Sequence, residues 1–185
     1  MRLIVGITGA SGSLYAYTLI RALHQLGVET YVIATDTGEQ VMRYECGVDM
    51  DDLSQYANVQ NNDDLFSATA SGSFQTDGMV IIPCSMNTLG MIANGVGDSL
   101  LCRSAGVVLK EQRKLVLVTR ETPLNLIHLE NMTTVVRAGA TIMPASPGFY
   151  HRPTEIWELI NFIVARVLDA FHIDHHLLQR WGEKS

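Results

Sequence analysis

Five short runs of the chain are apolar almost without interruption: RLIVGI (2–7), TYVIA (30–34), GMVIIP (78–83), KLVLVT (114–119) and ATIMPA (140–145). A strand with one wet face alternates apolar and polar residues. A strand covered on both faces has no polar side to show, so these runs predict parallel strands sandwiched between helices. Between them lie helical stretches near 13–26, 37–46, 87–94, 99–112 and 126–138. This succession predicts an α/β fold of the Rossmann-like, doubly wound kind: a mostly parallel sheet with helices on both faces and ligands at the strand C-termini. The least regular stretch, DMDDLSQYANVQNNDDLF (49–66), is expected to form an insertion over that edge. A last helix from near Pro153 carries IWELINFIVARVLDAF (156–171), apolar round most of its circumference. Such a helix is either central or covered by another subunit, and a homo-oligomer is the expectation.

The composition narrows the class. At 185 residues the chain is expected to be one domain, 1–185, with a substantial core; 47% of its residues are apolar and 17% charged, which excludes disorder. A net charge of −6 leaves no basic stripe for nucleic acid, so any anionic ligand needs a local basic cluster. Ten of the thirteen basic residues are Arg, the better shape for bidentate phosphate contacts. No leader or membrane-spanning run is visible, and Cys46, Cys84 and Cys102 lack CxxC spacing. Reduced thiols in a cytoplasmic protein are the reading.

Directly behind the first strand lies GITGASGS (6–13), with Gly6, Gly9 and Gly12 spaced as GxxGxxG. A strand that runs into such a loop can present backbone N–H groups to a phosphate, or the glycines can simply permit a tight turn. TGASGSLY also approximates the TGxxGxxG loop of extended short-chain dehydrogenases, with Tyr15 where the last glycine belongs and Asp36 where a ribose-binding acid would stand. None of the six tyrosines is followed by Lys four residues on, so the Tyr–Lys pair of those oxidoreductases is missing.

Three further blocks decide the matter. PCSMNTLG (83–90), LKEQRKLVLVTRETPLNLIHLENM (109–132) and PGFYHRP (147–153) follow GITGASGS in order, and the combination resembles the UbiX-type flavin prenyltransferases. The similarity extends through VARVLDAF (164–171) to RWGE (180–183). The resemblance implies transfer of a dimethylallyl group from dimethylallyl phosphate to N5 and C6 of reduced FMN, without metal. The product, prenylated FMN, serves UbiD-type decarboxylases. It also implies a homo-oligomer, a dodecamer in the family.

Carried over residue by residue, the pattern sets Gly9, Ala10 and Ser11 against FMN, with Thr35, Ser85, Met86, Asn87, Thr88 and Arg103. Many relatives have Lys or Gly at the position of Asn87, and Ser85 and Met86 equally suit a helix cap and ordinary packing. Lys110, Arg120, Tyr150 and Arg166 would hold the dimethylallyl phosphate, although Arg166 also has Asp169 three residues on for an ion pair. Cations on a departing phosphate make a metal unnecessary; DMDD (49–52) and NNDD (61–64) lack DDxxD spacing and read as solvated loop charges, and His175–His176 as surface residues. Trp181 would offer a π-face to an allylic cation. Glu121 is the acid/base candidate, with Ser11 relaying and Glu45 assisting; a carboxylate beside a flavin and a phosphate is expected to titrate high. Two alternatives share the fold: a flavin-dependent cysteine decarboxylase, whose early histidine has only His24 as a counterpart, and a non-catalytic flavin carrier subunit.

Overall fold

The computed structural model describes residues 1–178 and Gly182. Six strands, β1 (Arg2–Ile7), β2 (Glu29–Ala34), β3 (Asn58–Gln60), β4 (Gly78–Cys84), β5 (Lys114–Thr119) and β6 (Thr141–Pro144), form one sheet in the order β3-β2-β1-β4-β5-β6. Every pairing is parallel, from Arg2↔Glu29 between β1 and β2 to Thr119↔Pro144 between β5 and β6. Helices α1 (Ser13–Gln25), α2 (Asp36–Cys46), α3 (Met50–Leu53), α4 (Met86–Ala93), α5 (Leu100–Lys110), α6 (Leu126–Arg137) and α7 (Ile156–Ala170) connect and follow the strands.

The uninterrupted apolar runs have a simple origin. Strand residues point alternately to the two faces, and here both faces are cores. Leu3, Val5 and Ile7 meet α1 and α7 on one side, with Val32, Val80 and Val116. Ile4, Ile33, Met79, Ile81, Leu115 and Leu117 meet α4 and α5 on the other. The chain winds outward from β1 in one direction and from β4 in the other. Right-handed crossovers therefore set the helices on opposite faces and open a crevice where β1 and β4 part.

One expectation changes, and one pair of alternatives is resolved. The 49–66 stretch is part of the sheet rather than an insertion over it: Asp49 and Asp52 close a capping box on α3, and Asn58–Gln60 pairs with β2 as the edge strand. An edge strand three residues long has no need of an apolar run, which is why hydropathy misses it. Its acidic neighbours are structural as well, and Asn62 accepts from the N–H groups of Leu100 (2.7 Å) and Leu101 (3.0 Å) at the head of α5. The terminal helix is largely covered within the chain, since Ile160, Ile163, Val164, Ala165, Val167 and Leu168 are buried and α1 packs on it. Its first turn stays open, with Ile156 64% and Trp157 49% exposed, and α6 is more open still: Val135 alone is buried there, while Leu126 and Ile127 are 68% and 66% exposed.

Candidate active site

The loops after β1, β2, β4 and β5 meet at the C-terminal edge of the sheet. Thr8, fully buried, ties two of them together: its hydroxyl donates to the Pro83 carbonyl (2.7 Å) and accepts from the Ser85 N–H (2.8 Å). The Thr35 N–H donates to the Ile7 carbonyl, and the Arg120 N–H to the Cys84 carbonyl, so neighbouring strand ends are fixed as one rim. Gly9 passes so close to α2 that a Cβ there would overlap the Thr37 side chain. Gly12, at φ 112°, turns the chain into α1 in a conformation that disfavours any other residue.

Gly12 offers α1 no capping side chain. Glu45, reaching back from the end of α2, takes that role: one carboxylate oxygen accepts from the N–H groups of Gly12 (2.9 Å) and Ser13 (2.8 Å). Partial burial works against its charge, but the Ser11 hydroxyl, these two N–H groups and the Arg120 charge outweigh it, and Glu45 titrates below the usual carboxylate range. The direction is opposite to the elevated titration expected of a carboxylate beside a flavin and a phosphate, because the three hydrogen bonds to its oxygens come from donors and the neighbouring charge is a cation. Arg120 Nε donates to the Ser11 carbonyl at 3.2 Å.

Ser11, Glu45 and Arg120 stand together at an open cavity of about 460 Å³, whose other walls include Leu14, Tyr15, Ile156, Leu159 and Ile160. One rim is thus polar and singly cationic, and the remainder apolar. Arg120 also borders a second cavity of about 200 Å³ with Glu121, Thr122 and Met132. Glu121 accepts from the Thr122 N–H (2.9 Å) and belongs to no helix, since α6 starts only after its Asn125 cap.

The flavin-assigned residues divide between rim and frame. Ala10 is buried and Ser11 exposed, while Thr35 caps α2 through the Gly38 N–H (3.1 Å). Ser85 caps α4 by accepting from the Thr88 N–H and donating to its hydroxyl; Met86 packs in the core, and Asn87 faces outward beside Met91. Thr35 and Ser85 thus stand at the N-termini of α2 and α4, beside the C-terminal edge of the sheet.

The remaining cations are elsewhere in this chain. Arg103 and Lys110 share a face of α5 and a separate cavity of about 170 Å³. Lys110 pairs with Glu111 at 2.7 Å, and Arg103 donates to the Ala70 carbonyl. Arg166 lies on the outer side of α7, paired with Asp169 at 3.0 Å as its spacing allows. Tyr150 is 43% exposed, its ring edge-on to His151 and Phe162. Asp169 also holds His175 (3.1 Å), whose side chain is 2% exposed, so His175 is a buried anchor rather than a surface residue. His24 is exposed. Trp181 lies outside the described residues. Among the described residues no cluster of three or more His, Cys, Asp or Glu side chains could hold a metal ion, and no helix is long and apolar enough to cross a membrane.

Thr8, Tyr15 and the apolar wall from α7 were absent from the sequence assignment. Thr8 lies inside the glycine-bearing loop, but nothing in one sequence pairs it with residues 75 or more positions away.

Known proteins place these features in context. The sequence profile of the Flavoprotein family matches residues 1–168. A flavin prenyltransferase UbiX of Deinococcus radiodurans is 48% identical over 98% of this chain and 94% of its own. The crystal structure of AnUbiX (PadA1) in complex with FMN and dimethylallyl pyrophosphate has a TM-score of 0.96 at 42% identity, covering 100% of this chain and 98% of that one. A dodecameric FMN-dependent UbiX-like decarboxylase from Escherichia coli O157:H7 also scores 0.96, at 43% identity over 99% of this chain and 100% of its own. The peptidyl-cysteine decarboxylase EpiD, at 17% identity and a TM-score of 0.65, shares the fold alone. With a conserved architecture at both levels, the chain belongs to the UbiX-type flavin prenyltransferases of the Flavoprotein family.

Proposed function

We propose that this chain, as a single flavoprotein domain over residues 1–185, transfers a dimethylallyl group from dimethylallyl phosphate to N5 and C6 of reduced FMN, independently of metal. The product, prenylated FMN, passes to a UbiD-type decarboxylase in the cytoplasm. The observation that carries this reading is the 460 Å³ cavity itself: an apolar wall of Leu14, Ile156, Leu159 and Ile160 beside a rim of Ser11, Glu45 and Arg120. The Gly9–Ser11 loop, Thr35 and Ser85–Thr88 would hold FMN, which supplies the nucleophilic ring. Arg120 offsets the charge that grows on the phosphate as the C–O bond breaks. Glu45, ionised and beside Ser11, accepts a proton through the Ser11 hydroxyl, and Glu121 across Arg120 is the second carboxylate able to take one.

Arg103 and Lys110 on α5, and Tyr150 and Arg166 near α7, belong to the same reading through assembly. A homo-oligomer, a dodecamer in this proposal, brings these three cations and the Tyr150 hydroxyl from neighbouring copies to the strand-end rim. The exposed apolar face of α6 supports this, as does the dodecameric relative.

The test is mass spectrometry of the flavin after anaerobic incubation of the protein with reduced FMN and dimethylallyl phosphate, without added metal. A flavin heavier by one isoprene unit is expected, with Arg120→Gln slowing its formation by about 100-fold or more. Unmodified FMN recovered from folded, flavin-bound protein would overturn the assignment.

A further inference from the structure

The sheet order β3-β2-β1-β4-β5-β6 is the one on which dinucleotides bind across the central crevice, their bridging phosphates on the N–H groups at the start of the first helix. Much of that equipment is present. A glycine-bearing turn follows β1, the N-cap residue of α1 is a glycine with no side chain of its own to cap the helix, and Asp36 stands exposed just past β2, where a ribose-binding acid would be. One residue contradicts it. The N–H groups of Gly12 and Ser13 are both taken by a single oxygen of Glu45, at 2.9 and 2.8 Å, so the place of a bridging phosphate is already filled by a carboxylate of this chain.

We infer that Glu45 determines nucleotide specificity: its carboxylate occupies the anion position at the N-terminus of α1 and closes the crevice to dinucleotides. A pyrophosphate would have to displace a hydrogen-bonded anion and then share the rim with its charge. A mononucleotide carries no bridging pyrophosphate, so it has no group that must displace Glu45 from these N–H groups. The inference rests on the reading of the crevice as a mononucleotide site, and it gives Glu45 a task separate from proton transfer. The fit is local, since the same carboxylate is held in place by the Ser11 hydroxyl and the Arg120 charge.

The experiment is equilibrium binding of NADH and of FMN, each followed by fluorescence, to the wild-type protein and to Glu45→Ala and Glu45→Gln. Circular dichroism checks that each variant is folded. The wild type is expected to bind FMN and to show no saturable NADH binding. Glu45→Ala frees both N–H groups and removes the charge, and should make NADH binding saturable, with a half-saturation at least tenfold below the highest concentration at which the wild type shows none. Glu45→Gln removes the charge but leaves an amide oxygen over the N–H groups, so a smaller gain is expected. Folded variants that bind FMN yet bind NADH no better than the wild type would overturn the inference and leave the flavin reading intact. Absence of FMN binding by the wild type would overturn both.

Discussion

Glu45 holds its charge where three hydrogen-bond donors and a guanidinium converge, and that has a consequence for stability as well as chemistry. Its burial is partial and opposes ionisation, but Ser11, the Gly12 and Ser13 N–H groups and Arg120 prevail and lower its titration in the folded protein. A carboxyl that titrates lower when folded contributes stability above its unfolded value, near pH 4.3, and loses it as pH falls through the folded value. Thermal melts from pH 7 down to 3 should therefore show the wild type more stable than Glu45→Gln at neutral pH, with the gap closing below about pH 4. A gap independent of pH would mean that the carboxylate's charge does not contribute. The family resemblance already names Ser11, Glu45 and Arg120 among the site residues. Their meeting, from three different loops and helices, is visible only in the fold.

Among the elements, the loops after β1 and β4 are joined through one buried hydroxyl. Thr8→Val keeps the shape but leaves the Pro83 carbonyl and the Ser85 N–H without their partner, a cost of about 1–3 kcal/mol for the buried polar groups. Thr8→Ser retains the hydroxyl and should lose less, on the order of the 0.8 kcal/mol of one buried methyl. Urea denaturation of the two variants distinguishes the roles: equal losses would assign Thr8 to packing alone. Elements with strong periodicity were legible at this scale, and β1, β2, β4, β5 and β6 lie where the apolar runs predict. The short β3 was not, because a polar three-residue edge strand has no hydropathic signature. Nor was the covering of α7, since apolar residues look alike whether α1 or another chain hides them.

For the whole molecule, the exposed face of α6 and the separation of the cations point the same way. Leu126 and Ile127 lie open on a helix with one buried residue, an unusual outlay of apolar surface for a lone chain. Leu126→Glu with Ile127→Lys should lower the assembly state in sedimentation while preserving the far-ultraviolet spectrum, because neither side chain supports the chain's own core. Prenylated flavin formation should fall with it, by about tenfold or more if sites are completed between copies. Full activity from dissociated, folded chains would show that each chain is sufficient alone.

By itself the sequence determined the fold class, the parallel sheet and most of its strands, because burial on both faces imposes a local and unmistakable pattern. It also identified the family, and through it the residues to inspect. The tertiary structure alone decided which of them share a rim. Ser11, Glu45 and Arg120 converge on one cavity, whereas Arg103 and Lys110 line another, Arg166 pairs with Asp169 and Tyr150 packs on Phe162. It also showed that Asp169 anchors His175 as well as Arg166, and that a carboxylate fills the start of α1. The physical reason is the same in each case: hydrophobic periodicity is local, while contacts between loops are set by where the sheet brings their ends together.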